Sequence, residues 1–304
     1  MRARQQGVAI VLALTVVALA ALVVTAMMVS QSIWSRQVEL TAEHDQAQQL
    51  VHVGVDWARA VLSDDRRTSN VDYLGEPWAL RLPPIPVENG SLTGRIEDQQ
   101  GKFNLNNLLQ DGKLNLVQLD HFQRLLAILG LPPTLAPALA DWIDADSEPQ
   151  PQGGAEDAYY LSLASPRLAA NRPLIDVAEL VLVRGFDDGV RARLRPYVTA
   201  LPRFTPVNVN TASPEVLAAI VDGLSLDDAR VLVAQRDRAY FRNLPDFFGQ
   251  LPHGLTVSPK EISVSSDYFV ATMQVTIGAA QARGVALLDR QTDGWPAIVW
   301  SKFP

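Results

Sequence analysis

A short basic stub, Met1-Arg-Ala-Arg-Gln-Gln-Gly7, runs into apolar sequence that continues from Val8 to Val29. About 20 apolar residues cross a bilayer as a helix, and this run has that length with only Thr15 and Thr25 as mild interruptions. A secretory signal peptide has a shorter apolar core closed by a small-residue cleavage site, and no such site closes this run. The run therefore predicts a retained membrane helix. Arg2 and Arg4 precede it and no basic cluster follows closely, so the positive-inside rule keeps the N-terminus cytoplasmic and exports the remainder.

The position of Gly7 immediately before the apolar run leaves two readings. One is an ordinary uncleaved signal anchor. The other is a prepilin leader, cut after Gly7 so that Val8 becomes the new N-terminus and the helix is kept. Apolar residues then continue past the membrane at spacings of three and four: Ile33, Trp34, Val38, Ala47, Leu50, Val51, Val55, Ala58 and Leu62. That is the amphipathic helical period. No proline falls between Val8 and Leu62, which permits one continuous helix of about 80 Å.

Beyond the helix the period changes. Trp78–Leu82, a turn at Glu88-Asn89-Gly90 and Ser91–Glu97 predict the start of a hairpin or meander. Period-two sequence returns at Tyr268–Ile277, Arg283–Arg290 and Ala297–Lys302. Between Phe103 and about Ser258 the pattern is mainly helical, near Leu116–Leu129, Leu135–Ile143, Leu174–Val183, Pro214–Ile220 and Leu226–Arg236. The predicted fold is α+β: the long helix on a small antiparallel sheet that is interrupted by a helical insert. The limits are 1–7 for the leader, 8–29 for the membrane helix and 30–62 for its amphipathic continuation. The sheet occupies 63–102 and 259–304, and the insert 103–258.

Composition removes several functions. The chain has no cysteine, which excludes disulfides, thiolate metal sites and a thiol nucleophile. A net charge of −7 over 304 residues is a poor match to nucleic acid or anionic lipid. Its histidines, His44, His52, His121 and His253, are scattered, and no nucleophile elbow, zinc-protease motif or phosphate-cradling loop is present. No enzyme is expected.

Asp141, Asp144, Asp146 and Glu148 are followed by Pro149-Gln-Pro-Gln-Gly-Gly154 and then Glu156-Asp157. Calcium takes several oxygen ligands from carboxylates and loop carbonyls, and the glycine pair lets the loop return Glu156 to the aspartates. This is no EF-hand, because the sixth position from Asp144 is Pro149 and the twelfth is Ala155. The alternative is a solvated acidic loop. Separately, Val207-Asn-Val-Asn-Thr-Ala-Ser-Pro-Glu-Val-Leu217 looks like the entry to a DNA-binding helix-hairpin-helix. Asp222-Gly-Leu-Ser lacks the favoured glycine hairpin, and nearby arginines are matched by acids, so it reads as structural.

Taken together, the leader Gly7, Phe103-Asn-Leu-Asn-Asn-Leu108, Asp141-Trp-Ile-Asp-Ala-Asp146, and Asn171-Arg-Pro-Leu174 with Glu179-Leu180 resemble the K-type minor pseudopilins of type II secretion. Leu12 adds to the likeness: it is the fifth residue of the mature chain, where most pilins carry glutamate. The resemblance implies a pilin-like fold, a position at the pseudopilus tip, cleavage by prepilin peptidase, and I-type and J-type minor pseudopilins as partners. The secretin or secreted cargo are further possible contacts. It also implies calcium in the insert, with Asp141, Asp144, Asp146 and Glu156 as best ligands and Glu148 and Asp157 as weaker ones. The expected partner surface is Ile33, Trp34, Val38, Leu50, Val51, Val55 and Leu62. Two alternatives stand beside it: a tip minor pilin of a type IV pilus, and a signal-anchored DNA-binding protein using residues 207–242.

Overall fold

The computed structural model describes residues 3–291 and 294–303, with side chains from Val8 onward. Met1 and Arg2 of the leader lie outside the described residues. One helix, α1, runs unbroken over Ala3–Thr68, about 100 Å at 1.5 Å per residue. Its Val8–Val29 segment touches nothing else in the chain and is long and apolar enough to cross a membrane.

From Ala47 onward α1 packs. Ala47, Val51, Val55, Ala58 and Leu62 recur every three or four residues, so they form one stripe, and all are buried. They meet Leu92, Ile96, Phe269, Ala271, Met273, Val275, Ala286 and Leu288 on one face of a five-stranded antiparallel sheet. The strands in spatial order are β1 (Leu82–Val87), β2 (Gly90–Asp98), β3 (Tyr268–Ile277), β4 (Ala280–Asp289) and β5 (Ala297–Lys302). Close approach of α1 requires glycine at Gly284, where a Cβ would overlap Val51 and Phe303. Leu62→Ala is expected to lower stability by about 2–5 kcal/mol, as for other buried leucines. Trp34→Ala should leave the melting temperature of detergent-solubilised protein unchanged, because Trp34 is 68% exposed. Equal effects of the two substitutions would show that the stripe is not the helix–sheet contact.

The expected hairpin is present, with Asn89 at φ 58° in its turn, but its first strand is displaced. Trp78 is not in a strand: it lies in a 3-10 turn, Pro77–Ala79, buried edge-on against Phe269 at 5.1 Å. Strand β1 begins at Leu82 and carries Pro83, Pro84 and Pro86, tolerated because it is an edge strand whose N–H groups are not all needed.

Between β2 and β3 the chain builds a second core of its own, drawn wholly from Phe103 to Ile262. Its helices are α2 (Leu116–Ile128), α3 (Leu135–Ile143), α4 (Asp157–Leu161), α5 (Asp188–Leu194), α6 (Pro214–Ile220), α7 (Leu226–Arg236) and α8 (Leu244–Phe248). The predicted Leu174–Val183 helix is only a 3-10 segment, Val177–Leu182, started by an Asp176/Glu179 capping box. Upstream, Leu174 is held extended by Asn106, which donates to its carbonyl and accepts from its N–H.

That asparagine belongs to a repeated device. Phe103–Asn104 pairs in parallel with Val198–Thr199, and Val207–Asn208 pairs in parallel with Ile262–Ser263. In the first unit Asn106 bonds both backbone groups of Leu174, and in the second Asn210 does the same to Phe241. The Phe103–Leu108 motif is therefore a set of buried pins. The second pairing holds the chain to the helical block as far as Ser263, beyond residue 258.

Candidate metal centre

Helix α3 ends at Ile143, and Asp144 caps it with an extended backbone, ψ 173°. The following loop turns back through Gln152 (φ 64°) and Gly153 (φ 135°), left-handed conformations that glycine adopts without strain. Gly154 then passes so close to Asp141 that a Cβ there would overlap its carboxylate. Arg184 Nη1 donates to the Gly154 carbonyl at 3.0 Å and fixes the return. The loop thus delivers Glu156 beside Asp144.

Asp144, Asp146 and Glu156 each present a carboxylate oxygen, all within 4.8 Å of one another. Asp144 and Glu156 are buried, while Asp146 is exposed at the mouth. Asp144 Oδ1 and both Glu156 oxygens are buried with no hydrogen-bond partner among the described residues. Burial pushes the Glu156 carboxyl up to about 7, reinforced by Asp141, Asp144, Asp146 and Asp157. Burial likewise raises Asp144 to about 6, with Asp146 and Asp141 adding to it. The group also sits at a helix C-terminus, the negative end of the macrodipole. Three clustered carboxylates, two of them with unpartnered buried oxygens and none in a salt bridge among the described residues, form a hard, all-oxygen donor set that fits calcium.

Asp141 is placed differently from expectation. It is outside the group of three whose oxygens converge, and both its oxygens accept from the Gln150 N–H at 3.1 Å, which holds the loop. Of the weaker candidates, Asp157 accepts from the Ala169 N–H at 2.8 Å, and Glu148 contributes its own N–H to Asp146 Oδ1 at 2.9 Å.

The expected partner surface divides in two. Ile33, Trp34 and Val38 are exposed on α1. Val51, Val55 and Leu62 are buried against the chain's own sheet, and Leu50 is half-buried on the same core, so these four do not form a free surface. Helical periodicity identified the apolar stripe but not which protein covers it. The 207–242 region is built as a structural hairpin: buried Arg236 donates to the Val209 and Ala212 carbonyls, and Arg230 pairs with Asp227.

One site had no sequence signal. Arg290, 1% exposed, donates to Asp65 and Asp72 at 2.7 Å and to the Ser266 carbonyl at 2.8 Å. Beside it, buried Asp98 accepts from Thr211, Ser266 and Asn208. Burial pushes both Asp65 and Asp98 up to about 6, with Asp72 raising each further and the hydrogen bonds opposing. These contacts join the end of α1, the strand ends and the insert.

Residues 101–203 and 207–265 both match the family described as "Type II secretion system (T2SS), protein K". Type II secretion system protein K of Pseudomonas aeruginosa is 37% identical over 97% of this chain and 91% of its own length. The Klebsiella pneumoniae protein of the same name is 33% identical over 96% and 94%. Among solved structures, the crystal structure of the GspK-GspI-GspJ complex from the enterotoxigenic Escherichia coli Type 2 Secretion System contains a similar chain. The TM-score is 0.77 at 26% identity, covering 88% of this chain and 99% of that one. With a pilin-like helix-on-sheet body, a helical insert and family matches across that insert, the chain belongs to the type II secretion system protein K family, the K-type minor pseudopilins.

Proposed function

We propose that this subunit caps the tip of the pseudopilus, helping to initiate its assembly and the export of folded proteins from the periplasm across the outer membrane. It does so without catalysis. The observation that carries this is Leu12 in the wholly exposed apolar part of α1. An unpaired carboxylate within a bilayer costs about 2.5–3.5 kcal/mol, so a pilin that carries one needs a neighbour to neutralise it. A subunit with leucine there offers no carboxylate to a subunit above, as suits the end of the filament. Prepilin peptidase cuts after Gly7, and the mature chain crosses the inner membrane once with its bulk in the periplasm.

The partners are the I-type and J-type minor pseudopilins, in keeping with the complex in which the similar Escherichia coli chain was solved. Ile33, Trp34 and Val38, exposed just beyond the membrane segment, are among the side chains of α1 available to them. The insert broadens the tip toward secretin or cargo and holds calcium through Asp144, Asp146 and Glu156.

N-terminal sequencing of the mature protein is expected to begin at a methylated Val8, and an intact Met1 rejects the processing. The chain has no cysteine, so Trp34→Cys gives a single thiol for crosslinking. Disulfide capture of an I-type or J-type partner carrying its own engineered cysteine is expected. Immunogold label along the whole filament instead of at its end would reject the tip position.

A further inference from the structure

The sheet face turned away from α1 is partly roofed by the insert, and a cleft of about 650 Å³ lies between them. Val270 and Thr272 of β3, Val285 and Leu287 of β4 and Trp300 of β5 form its floor, and the 176–200 stretch of the insert forms a wall. Its charge opposes that of the chain. Arg95, Lys102, Arg191, Arg195 and Arg283 line it, against the carboxylates of Glu97 and Asp176 alone, in a protein of net charge −7.

Both carboxylates are already engaged, Glu97 by Arg95 at 3.1 Å and Asp176 by Lys302 at 2.9 Å. Arg191 pairs with Asp188. Lys102, Arg195 and Arg283 have no carboxylate within 4.0 Å among the described residues. Lys102 is half-buried, and among the described residues its ammonium reaches only the Gln99 side-chain carbonyl, at 3.4 Å.

A ligand for this cleft needs negative charge for three unpaired cations and apolar atoms to cover the half-buried Val270 and Val285. Inorganic phosphate supplies the first and not the second. A bilayer surface is too flat to enter. We propose that the cleft binds an extended acidic peptide segment of a partner protein, its carboxylates alternating with aliphatic side chains. The carboxylates meet Lys102, Arg195 and Arg283, and the aliphatic side chains lie over Val270 and Val285. This inference is independent of where in the pseudopilus the subunit sits.

The test uses the full chain in detergent micelles and a rhodamine-labelled peptide, Glu-Val-Glu-Leu-Asp-Val, read by fluorescence anisotropy. The acidic peptide is expected to bind about tenfold or more tightly than its Gln/Asn analogue, and to weaken as salt rises. Arg195→Glu combined with Arg283→Glu should lose about tenfold, whereas the double lysine variant keeps binding near wild type. A melting curve for each variant separates lost binding from lost fold. Equal affinity for the neutral analogue, no effect of charge reversal, or no binding up to about 1 mM overturns the proposal. Full displacement of the peptide by inorganic phosphate at equal concentration also overturns it, by showing a small-anion site.

Discussion

Adding calcium to chelator-treated protein is expected to raise its melting temperature by about 5–10 °C. Calcium at a hundred times its dissociation constant stabilises by about 2.7 kcal/mol, and a unit of this size gains about 2–4 °C per kcal/mol. Asp144→Ala removes a ligand and should abolish the rise, as should Glu156→Gln. The sign of the apo effect is diagnostic. Without metal, Asp144 and Glu156 are buried carboxylates with unpartnered oxygens, each pushed up by burial and by neighbouring carboxylates, Asp146 and Asp141 among them. Asp144→Asn in chelator should therefore melt above wild type in chelator, and below wild type in calcium. A solvated acidic loop predicts no change in either condition. A melting temperature indifferent to calcium, measured by circular dichroism in the same detergent, would refute the metal centre.

The second large effect is expected at Arg290. Replacing it with methionine keeps the volume and removes the only cation bonded to Asp65 and Asp72 among the described residues. Breaking a buried pair from one side costs about 3–5 kcal/mol, because the remaining charge is stranded. The loss should also depend on pH, with a defined sign. Asp65 and Asp98 are raised in the fold from 3.8 to about 6, chiefly by burial. A raised carboxylate binds its proton more tightly when folded, so its contribution is present below about pH 4 and lost as pH climbs through about 6. Wild-type urea midpoints should thus rise from pH 8 to pH 5. The Arg290→Met deficit should shrink over the same interval, as Asp65 takes up a proton. A deficit under about 1 kcal/mol at pH 8, or one that ignores pH, would show that the joint between insert and body is held elsewhere.

Much of the architecture was legible because it is periodic. The long helix α1 occurs as one unbroken run, extending past the expected Val8–Leu62 to Ala3–Thr68, and the strands Tyr268–Ile277 and Ala297–Lys302 and the helices Leu135–Ile143, Pro214–Ile220 and Leu226–Arg236 occur with the bounds that spacing predicts. Elements too short to show a period escaped. The paired strands of two residues each are set by buried asparagines, and α5 and α8 by the caps Asp187 and Asn243, not by an apolar stripe; α4 is a single short turn. The grouping of carboxylates was readable as a local acidic spacing, yet the contact of Asp141 with the Gln150 N–H was not. Whether a carboxylate is a ligand or a loop pin depends on which N–H it meets, and Gln150 is nine residues on.

By itself the sequence determined the apolar anchor, the family resemblance, the α+β class and the acidic segment. These follow from composition and spacing along the chain. The tertiary structure alone decided what covers each surface. It turned Val51, Val55 and Leu62 inward onto the sheet, left Ile33, Trp34 and Val38 free, and opened the cationic cleft beneath the insert. It also brought Arg290 to Asp65 and Asp72, partners 225 and 218 residues away. Periodicity reports that a face is apolar and charge counts report a sum. Neither encodes which distant segment desolvates a group, and desolvation is what makes those carboxylates and cations act.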